Sequence, residues 1–257
     1  MLQINTIHHG NCLNLMQEID SNTIDLLFTD LPYGTTKAKF DIPIDLDVFW
    51  EQVNRITKPN ACVALWSQQP FTTDLINSNR RYFKYEWIIE KGRATGHLNA
   101  KKRPMKAHES ILIFYRKLPL YNPQKTYGHP RKVSLAKHKL NCKDTVNYNN
   151  NTKLTDYDST ERYPRSVLKF SWPAQTRCMN PQEKPLDACE YIIKTYTNEG
   201  DLVFDCTSGS GTICVAARNT GRNFIGIELD EEIHSIACER VKENELSLNK
   251  QLVSSKQ

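Results

Sequence analysis

The chain has 257 residues, 39 % hydrophobic and 25 % charged, which fits one large globular domain or a domain carrying a sizeable insertion. Its apolar runs fall short of the roughly 20 residues a membrane helix needs. The start, Met1-Leu2-Gln3-Ile4-Asn5, lacks the basic-then-apolar pattern of a signal peptide, so a cytoplasmic protein with no membrane partner is expected. The net charge of +5 conceals a divide: residues 91–177 hold 19 Lys and Arg against 5 Asp and Glu, or +14, while the remainder sums to −9, and such an excess favours a polyanionic partner.

Ile4 to Ile7 predicts a short strand, and Leu13, Met16 and Ile19 line one side of a helix over 12–19. Ile24 to Phe28 predicts a buried strand, and the chain runs on through Thr29 into Asp30-Leu31-Pro32-Tyr33. Phe49, Val53 and Ile56 share a helical face over 48–56; Ala61 to Trp66 is a continuous buried strand, followed by a helix over 71–77. Strands are predicted at Tyr85–Ile89 and Ser110–Tyr115. Between them, Gly92, Gly96, Pro104 and the cations Lys91, Arg93, Lys101, Lys102 and Arg103 predict a mobile loop. Strands alternating with helices imply an α/β, doubly wound, mostly parallel sheet.

From Lys117 to Thr176 the pattern breaks. This segment is polar, and it interleaves Arg131, Lys132 and Arg162 with Tyr121, Tyr127, Tyr157, Tyr163 and Trp172, a mixture suited to nucleic acid more than to a bare linker. Regular structure resumes with a helix behind Pro185, a strand at Leu202–Phe204, a helix over 210–219, a strand at 223–227 and a helix over 233–245, with the last ten or so residues read as disordered. Eight cysteines without a Cys-x-x-Cys pair predict reduced, mostly buried thiols, not a zinc site.

Two stretches carry the chemistry. Asp30 to Tyr33 places a carboxylate, a backbone carbonyl, a rigid proline and an aromatic ring at the C-terminal end of a strand, where open α/β sheets bind ligands. Asp30 and the Leu31 carbonyl form an acceptor pair suited to activating a flat, conjugated amino group, with Tyr33 stacking on the base that bears it. The second stretch runs from Asp205 to Thr212, from strand to helix, with Gly209 and Gly211 permitting a tight turn and Glu228 ending the next strand 19 residues after Gly209. This is nucleoside-binding spacing. A dinucleotide fits less well, because Cys214 stands where its third glycine belongs, and Asp205 favours the cationic groups of S-adenosylmethionine over a pyrophosphate.

Together these residues resemble the β-class amino-group DNA methyltransferases, whose catalytic tetrapeptide comes first, target-recognition segment second and cofactor glycines last. The likeness to short phage and prophage adenine methylases runs through Asp30-Leu31-Pro32-Tyr33-Gly34-Thr35-Thr36, Asn99-Ala100-Lys101-Lys102, His108-Glu109 and Tyr121-Asn122-Pro123-Gln124. The family pattern His-Pro-x-Gln-Lys-Pro is met by Asn180-Pro181-Gln182-Glu183-Lys184-Pro185, keeping only Lys184 and Pro185 beyond the first proline. Its Gly-Asp-Cys is met by Gly10-Asn11-Cys12, and its usual second tetrapeptide residue, proline, by Leu31, which keeps the carbonyl.

The resemblance implies a Rossmann-like methyltransferase sheet with circularly permuted motif order: a catalytic half over 1–116, a target-recognition insertion over 117–176 and a cofactor half over 177–257. It implies S-adenosylmethionine held by Asn11, Cys12, Asp30, Lys184, Asp205, Thr207, Gly209, Ser210, Gly211, Thr212 and Glu228, with Lys184 on the cofactor carboxylate. Double-stranded DNA is the expected partner, met by Arg93, Lys101, Lys102, Arg103, Arg131 and Lys132. A homodimer and a separate restriction nuclease are compatible with the family, and neither is implied. Asp30 favours adenine over cytosine as the target. A cytosine 4-amino methylase and a non-catalytic DNA-binding subunit of the same fold are the alternatives. Ribosomal RNA dimethylases and protein glutamine methylases carry the cofactor glycines before the tetrapeptide, so the order here argues against them.

Overall fold

The computed structural model describes residues 2–34, 42–135, 156–172 and 183–254, with side chains to residue 247. It divides into two units, Met1–Asn122 with Ser166–Gln257, and Pro123–Arg165. In chain order the elements are β1 (Thr6–His9), α1 (Cys12–Leu15) with a 3-10 turn at Met16–Glu18, β2 (Ile24–Thr29), α2 (Leu46–Ile56), β3 (Thr57–Ser67), α3 (Phe71–Ser78) and β4 (Phe83–Thr95). After a 3-10 turn at His97–Asn99 come β5 (Lys106–Phe114), β6 (Lys132–Ser134), β7 (Tyr157–Ser159) and β8 (Val167–Phe170). The chain ends with α4 (Leu186–Tyr196), β9 (Leu202–Asp205), α5 (Thr212–Asn219), β10 (Asn223–Glu228) and α6 (Glu231–Ser254).

The larger unit is built on one sheet, ordered β1-β10-β9-β2-β3-β5-β4-β8. All pairings are parallel except those of β5, which runs antiparallel to both β3 and β4. Alternation along β2 divides the core. Leu26 and Phe28 face Trp66, α4, α5 and α6, whereas Leu27 faces α1, α2 and α3; a register shift between Ile24 and Leu26 puts Ile24 on that second side as well. Helices on both faces make the sheet doubly wound. From the β9–β2 pair, β9 leads outward to β10 and β2 leads outward to β3, so this pair is a switch point. Leu26 lies opposite Val203 and Leu27 opposite Phe204, which brings residues some 177 positions apart to one edge.

Local chemistry moves several element ends from their expected places. α2 starts at Leu46, two residues early, because the Asp45 carboxylate accepts from the N–H groups of Asp47 and Val48. α6 starts at Glu231 because Asp230 caps Glu232 and Ile233 in the same way, and it continues to Ser254 through the tail read as disordered. α5 starts at Thr212, after Gly211 has taken a left-handed turn with φ of +77°.

The loop expected across Lys91 to Pro104 is largely ordered. β4 continues through Gly92 to Thr95, which pairs with Lys106 of β5, and the chain turns at Gly96 with φ of +89°. Cross-strand pairing outweighs the weak strand preference of Gly92. The smaller unit, Pro123–Arg165, lies inside the expected segment 117–176. Asn122 donates its N–H to the Thr195 carbonyl (2.7 Å), and Val167–Phe170 joins the sheet beside β4, so the described residues on either side of 123–165 pack with the larger unit. A four-residue strand is too short to show a period in the sequence.

The smaller unit pairs β6 antiparallel with β7. Arg131 forks onto Asp158 at 2.7 and 2.5 Å, Lys125 meets Glu161 at 2.8 Å, and Arg162 donates to the carbonyls of Ser159 and Glu161.

Candidate active site

β2 and β9 end side by side, and their last residues are cross-linked. Thr29 Oγ1 donates to Asp205 Oδ1 (2.7 Å) and lies 2.7 Å from Thr207 Oγ1, and Thr207 Oγ1 donates to the Asp30 carbonyl (3.0 Å). The stretch from Asp30 to Tyr33 and the stretch from Asp205 to Thr212 thus share one hydrogen-bonded rim. Burial pushes the Asp205 carboxyl up to about 7, against the hydrogen bond from Thr29.

The cofactor turn has the shape its glycines predict. Gly209 and Gly211 have φ of +51° and +77°. A Cβ on Gly209 would meet nothing within 4 Å, so the turn faces space that a ligand can enter. Glu228, at the tip of β10, accepts from Gly209 N–H on Oε2 (2.7 Å) and from Asp230 N–H on Oε1 (2.9 Å). Each carboxylate oxygen keeps a lone pair, which fits the two hydroxyls of a ribose.

Other expected cofactor residues have structural partners. Ser210 and Thr212 accept from Arg240, which also meets Glu183 at 2.6 Å. Asn11 caps α1 by accepting from Asn14 N–H, and the neighbouring Gly10 N–H donates to the Glu228 carbonyl (2.8 Å). Cys12 is buried with its thiol beside Cys206. The N-terminal segment is thereby held at the end of β10.

On the other side of the rim stands Asp30. Tyr33 donates its hydroxyl to Asp30 Oδ1 at 2.7 Å, and Lys184 Nζ lies 2.9 Å from Oδ2. The Tyr33 ring leans on Phe71 at 5.1 Å, at the start of α3. Leu31 is buried, and its side chain packs among the residues facing α1 to α3. Lys184 stands 5.1 Å from the Trp66 ring centroid and 5.9 Å from that of Tyr33, so aromatic faces line the cation. Burial raises the Asp30 carboxyl, and Lys184 opposes the rise.

Lys184 has a second carboxylate partner that the sequence reading left outside the site. Glu109 Oε2 lies 2.9 Å from Lys184, and Glu109 Oε1 lies 2.6 Å from Lys91, whose Nζ sits 4.5 Å from the Trp172 ring centroid. The signal was present in the sequence: Glu109 heads the apolar run Ser110 to Phe114, and Lys184-Pro185 heads the apolar helix α4. A charge entering a core requires a partner. Lys184, expected on the cofactor carboxylate, thus stands between two protein carboxylates, Asp30 and Glu109.

Arg93 lies on β4, and Lys101, Lys102 and Arg103 lie on the turn beyond it, all exposed. Arg131 and Lys132 are exposed in the smaller unit. Thr35, Thr36 and the segment Asn180-Pro181-Gln182 fall outside the described residues.

The model of the DNA methylase family matches residues 24–239. The Type II methyltransferase M1.MboII of Moraxella bovis is 26 % identical over 252 residues, covering 90 % of this chain and 94 % of that protein. Among solved structures, M1.HpyAVI in complex with SAM gives a TM-score of 0.62 at 20 % identity, covering 92 % of this chain and 98 % of its own. The PvuII DNA methyltransferase, cytosine-N4-specific, gives 0.61 at 15 % identity, covering 94 % and 93 %. At these identities the structural likeness is one of fold. The match over residues 24–239, together with the tetrapeptide, the glycine turn and their order along the chain, establishes that this chain belongs to the DNA methylase family, as a β-class amino-group methyltransferase.

Proposed function

We propose that the protein transfers a methyl group from S-adenosylmethionine to the 6-amino group of adenine in double-stranded DNA, on a base rotated out of the duplex. The observation that carries this reading is the shared rim: the Asp30 carboxylate stands beside the cofactor turn because β2 pairs with β9. When bound, S-adenosylmethionine would supply an electrophilic methyl group, whose bond to sulfur breaks as the N–C bond forms and leaves a neutral thioether.

The chain's residues do the rest. Glu228 and the Gly209 turn would hold the ribose, and Asp205, where it is ionised above about pH 7, would add negative charge near the cationic groups. The adenine amine is a weak nucleophile because its lone pair is delocalised into the ring. Asp30 and the Leu31 carbonyl accept from its two hydrogens, favouring the pyramidal nitrogen that develops as the N–C bond forms. The proton released from nitrogen leaves by way of Asp30. Tyr33 stacks on the displaced base, and Pro32 fixes the backbone of the tetrapeptide. Residues 123–165 and the turn at Lys101 to Arg103 supply contacts to DNA.

Asp30→Ala is expected to lower transfer by about a thousandfold or more while DNA binding changes little. Labelled methyl transfer and an electrophoretic binding assay on the same preparations measure this. Equal loss of both would remove Asp30 from the chemistry. Nucleoside analysis of the methylated DNA decides the base: N4-methylcytosine in place of N6-methyladenine would establish the cytosine reading, since the acceptor pair suits either amine. A DNA-binding subunit without activity has no reason to keep Asp30, Tyr33 and the glycine turn together.

A further inference from the structure

Glu109 takes no part in the reaction just described, yet it is only 7 % exposed, within β5. From the rim inward, Asp30, Lys184, Glu109 and Lys91 form a row of alternating charge with contacts of 2.9, 2.9 and 2.6 Å, summing to zero. The ends are held as well: Tyr33 donates to Asp30, and Lys91 lies over Trp172. Lys184 and Lys91 together hold the Glu109 carboxyl below its usual range despite its burial, so Glu109 is charged at neutral pH.

This row answers a chemical conflict. An ion pair with Lys184 alone would fix Asp30, but it would also consume the acceptor strength that the amine needs. We propose that Glu109 is a positioning residue for the amine acceptor: it shares Lys184 with Asp30, so that Asp30 is held in place without surrendering its charge to the ammonium. Lys91 completes the balance by keeping Glu109 from drawing Lys184 away altogether. The inference rests on Asp30 as the group that receives the target amine.

Among the described residues, the charged and titratable groups facing Asp30 are Tyr33, Lys184, Glu109 and, from the far side of the rim, Asp205 and the Cys189 thiol of α4. Glu109 raises the Asp30 carboxyl. Removing its charge therefore lets Lys184 settle on Asp30, and should lower the acid limb of the kcat profile while weakening the acceptor. Removing the charge of Lys91 frees Glu109 to pull on Lys184, and should raise that limb.

The test uses Glu109→Gln, Glu109→Asp and Lys91→Gln in the full chain, with unmethylated bacterial genomic DNA and labelled S-adenosylmethionine. For Glu109→Gln we expect kcat to fall roughly ten- to a hundredfold, with KM for the cofactor and DNA affinity little changed. Its acid limb should shift down, that of Lys91→Gln should shift up, and Glu109→Asp should recover part of kcat. An unchanged kcat in Glu109→Gln, or acid limbs of the two charge variants moving the same way, would overturn the proposal. If Glu109→Gln fails to fold, the upward shift in Lys91→Gln decides the matter alone. Should Asp30→Ala retain transfer, the functional reading fails; should Asp30→Ala be inactive while Glu109→Gln is normal, only the role of Glu109 fails.

Discussion

Three oxygen–oxygen contacts run from Asp205 through Thr29 and Thr207 to the Asp30 carbonyl, at 2.7, 2.7 and 3.0 Å, but the two hydroxyls bring only two protons. Thr29 gives one to Asp205 Oδ1 and Thr207 gives the other to the Asp30 carbonyl, so a further proton in the row can sit only on Asp205, on the oxygen that Thr29 does not meet. The carboxyl, 1 % exposed and pushed up to about 7 by burial, holds such a proton at mildly acidic pH. In the unfolded chain an aspartate titrates near 3.9. Between about pH 4 and 7 the folded protein therefore binds the extra proton, and this group's contribution to stability falls as pH rises through that window, by roughly 4 kcal/mol in all. Asp205→Asn mimics the protonated side chain. It should remove this part of the pH slope, so that the variant gains on the parent as pH rises from 5 to 8. Urea midpoints at several pH values measure the difference, and parallel curves would mean that Asp205 is charged throughout.

Elements behave differently from residues because their ends and partners are set by tertiary contacts. The interiors of β2, β3, α2 and α4 were legible as apolar periodicity, since burial on one face or two imposes it. The starts of α2, α5 and α6 were not, because Asp45, Gly211 and Asp230 set them through side-chain bonds or one backbone angle. β4 across Gly92 and the short β8 depend on neighbouring strands, and no local pattern encodes them. The site divides in the same way. Asp30, the glycine turn and Glu228 stand at strand ends and could be read from the chain, whereas Glu109 and Lys91 acquire their role only when β5 and β4 lie beside Lys184. One glycine shows how tightly elements meet here. A Cβ on Gly226 of β10 would come within 2.7 Å of Ser208 Oγ, 2.8 Å of Cys214 Sγ and 2.9 Å of Ile7, inside the seam between strand, cofactor turn and α5. Gly226→Ala should destabilise the protein by about 1–3 kcal/mol, read from denaturant unfolding. An unchanged midpoint would show that the seam yields without strain.

At the scale of the whole molecule the governing feature is the +14 carried by residues 91–177. Formal charge overstates what the smaller unit offers DNA, because Arg131 is forked onto Asp158 and Lys125 meets Glu161. Lys101, Lys102 and Arg103 instead stand exposed on the turn between β4 and β5. Each cation that neutralises a phosphate on duplex DNA adds roughly 0.9 to the slope of log K against log salt. Replacing these three with Gln should therefore weaken binding at 50 mM salt and lower the slope by up to about 2.7. Arg131→Gln should lower it by less than about 0.9, since Asp158 already holds the guanidinium and must release it before a phosphate can take its place. Fluorescence anisotropy with a labelled duplex between 50 and 200 mM salt separates the two. An unchanged slope in the triple variant would take the β4–β5 turn out of the interface, and a full-sized loss from Arg131 would mean that DNA breaks the pair with Asp158.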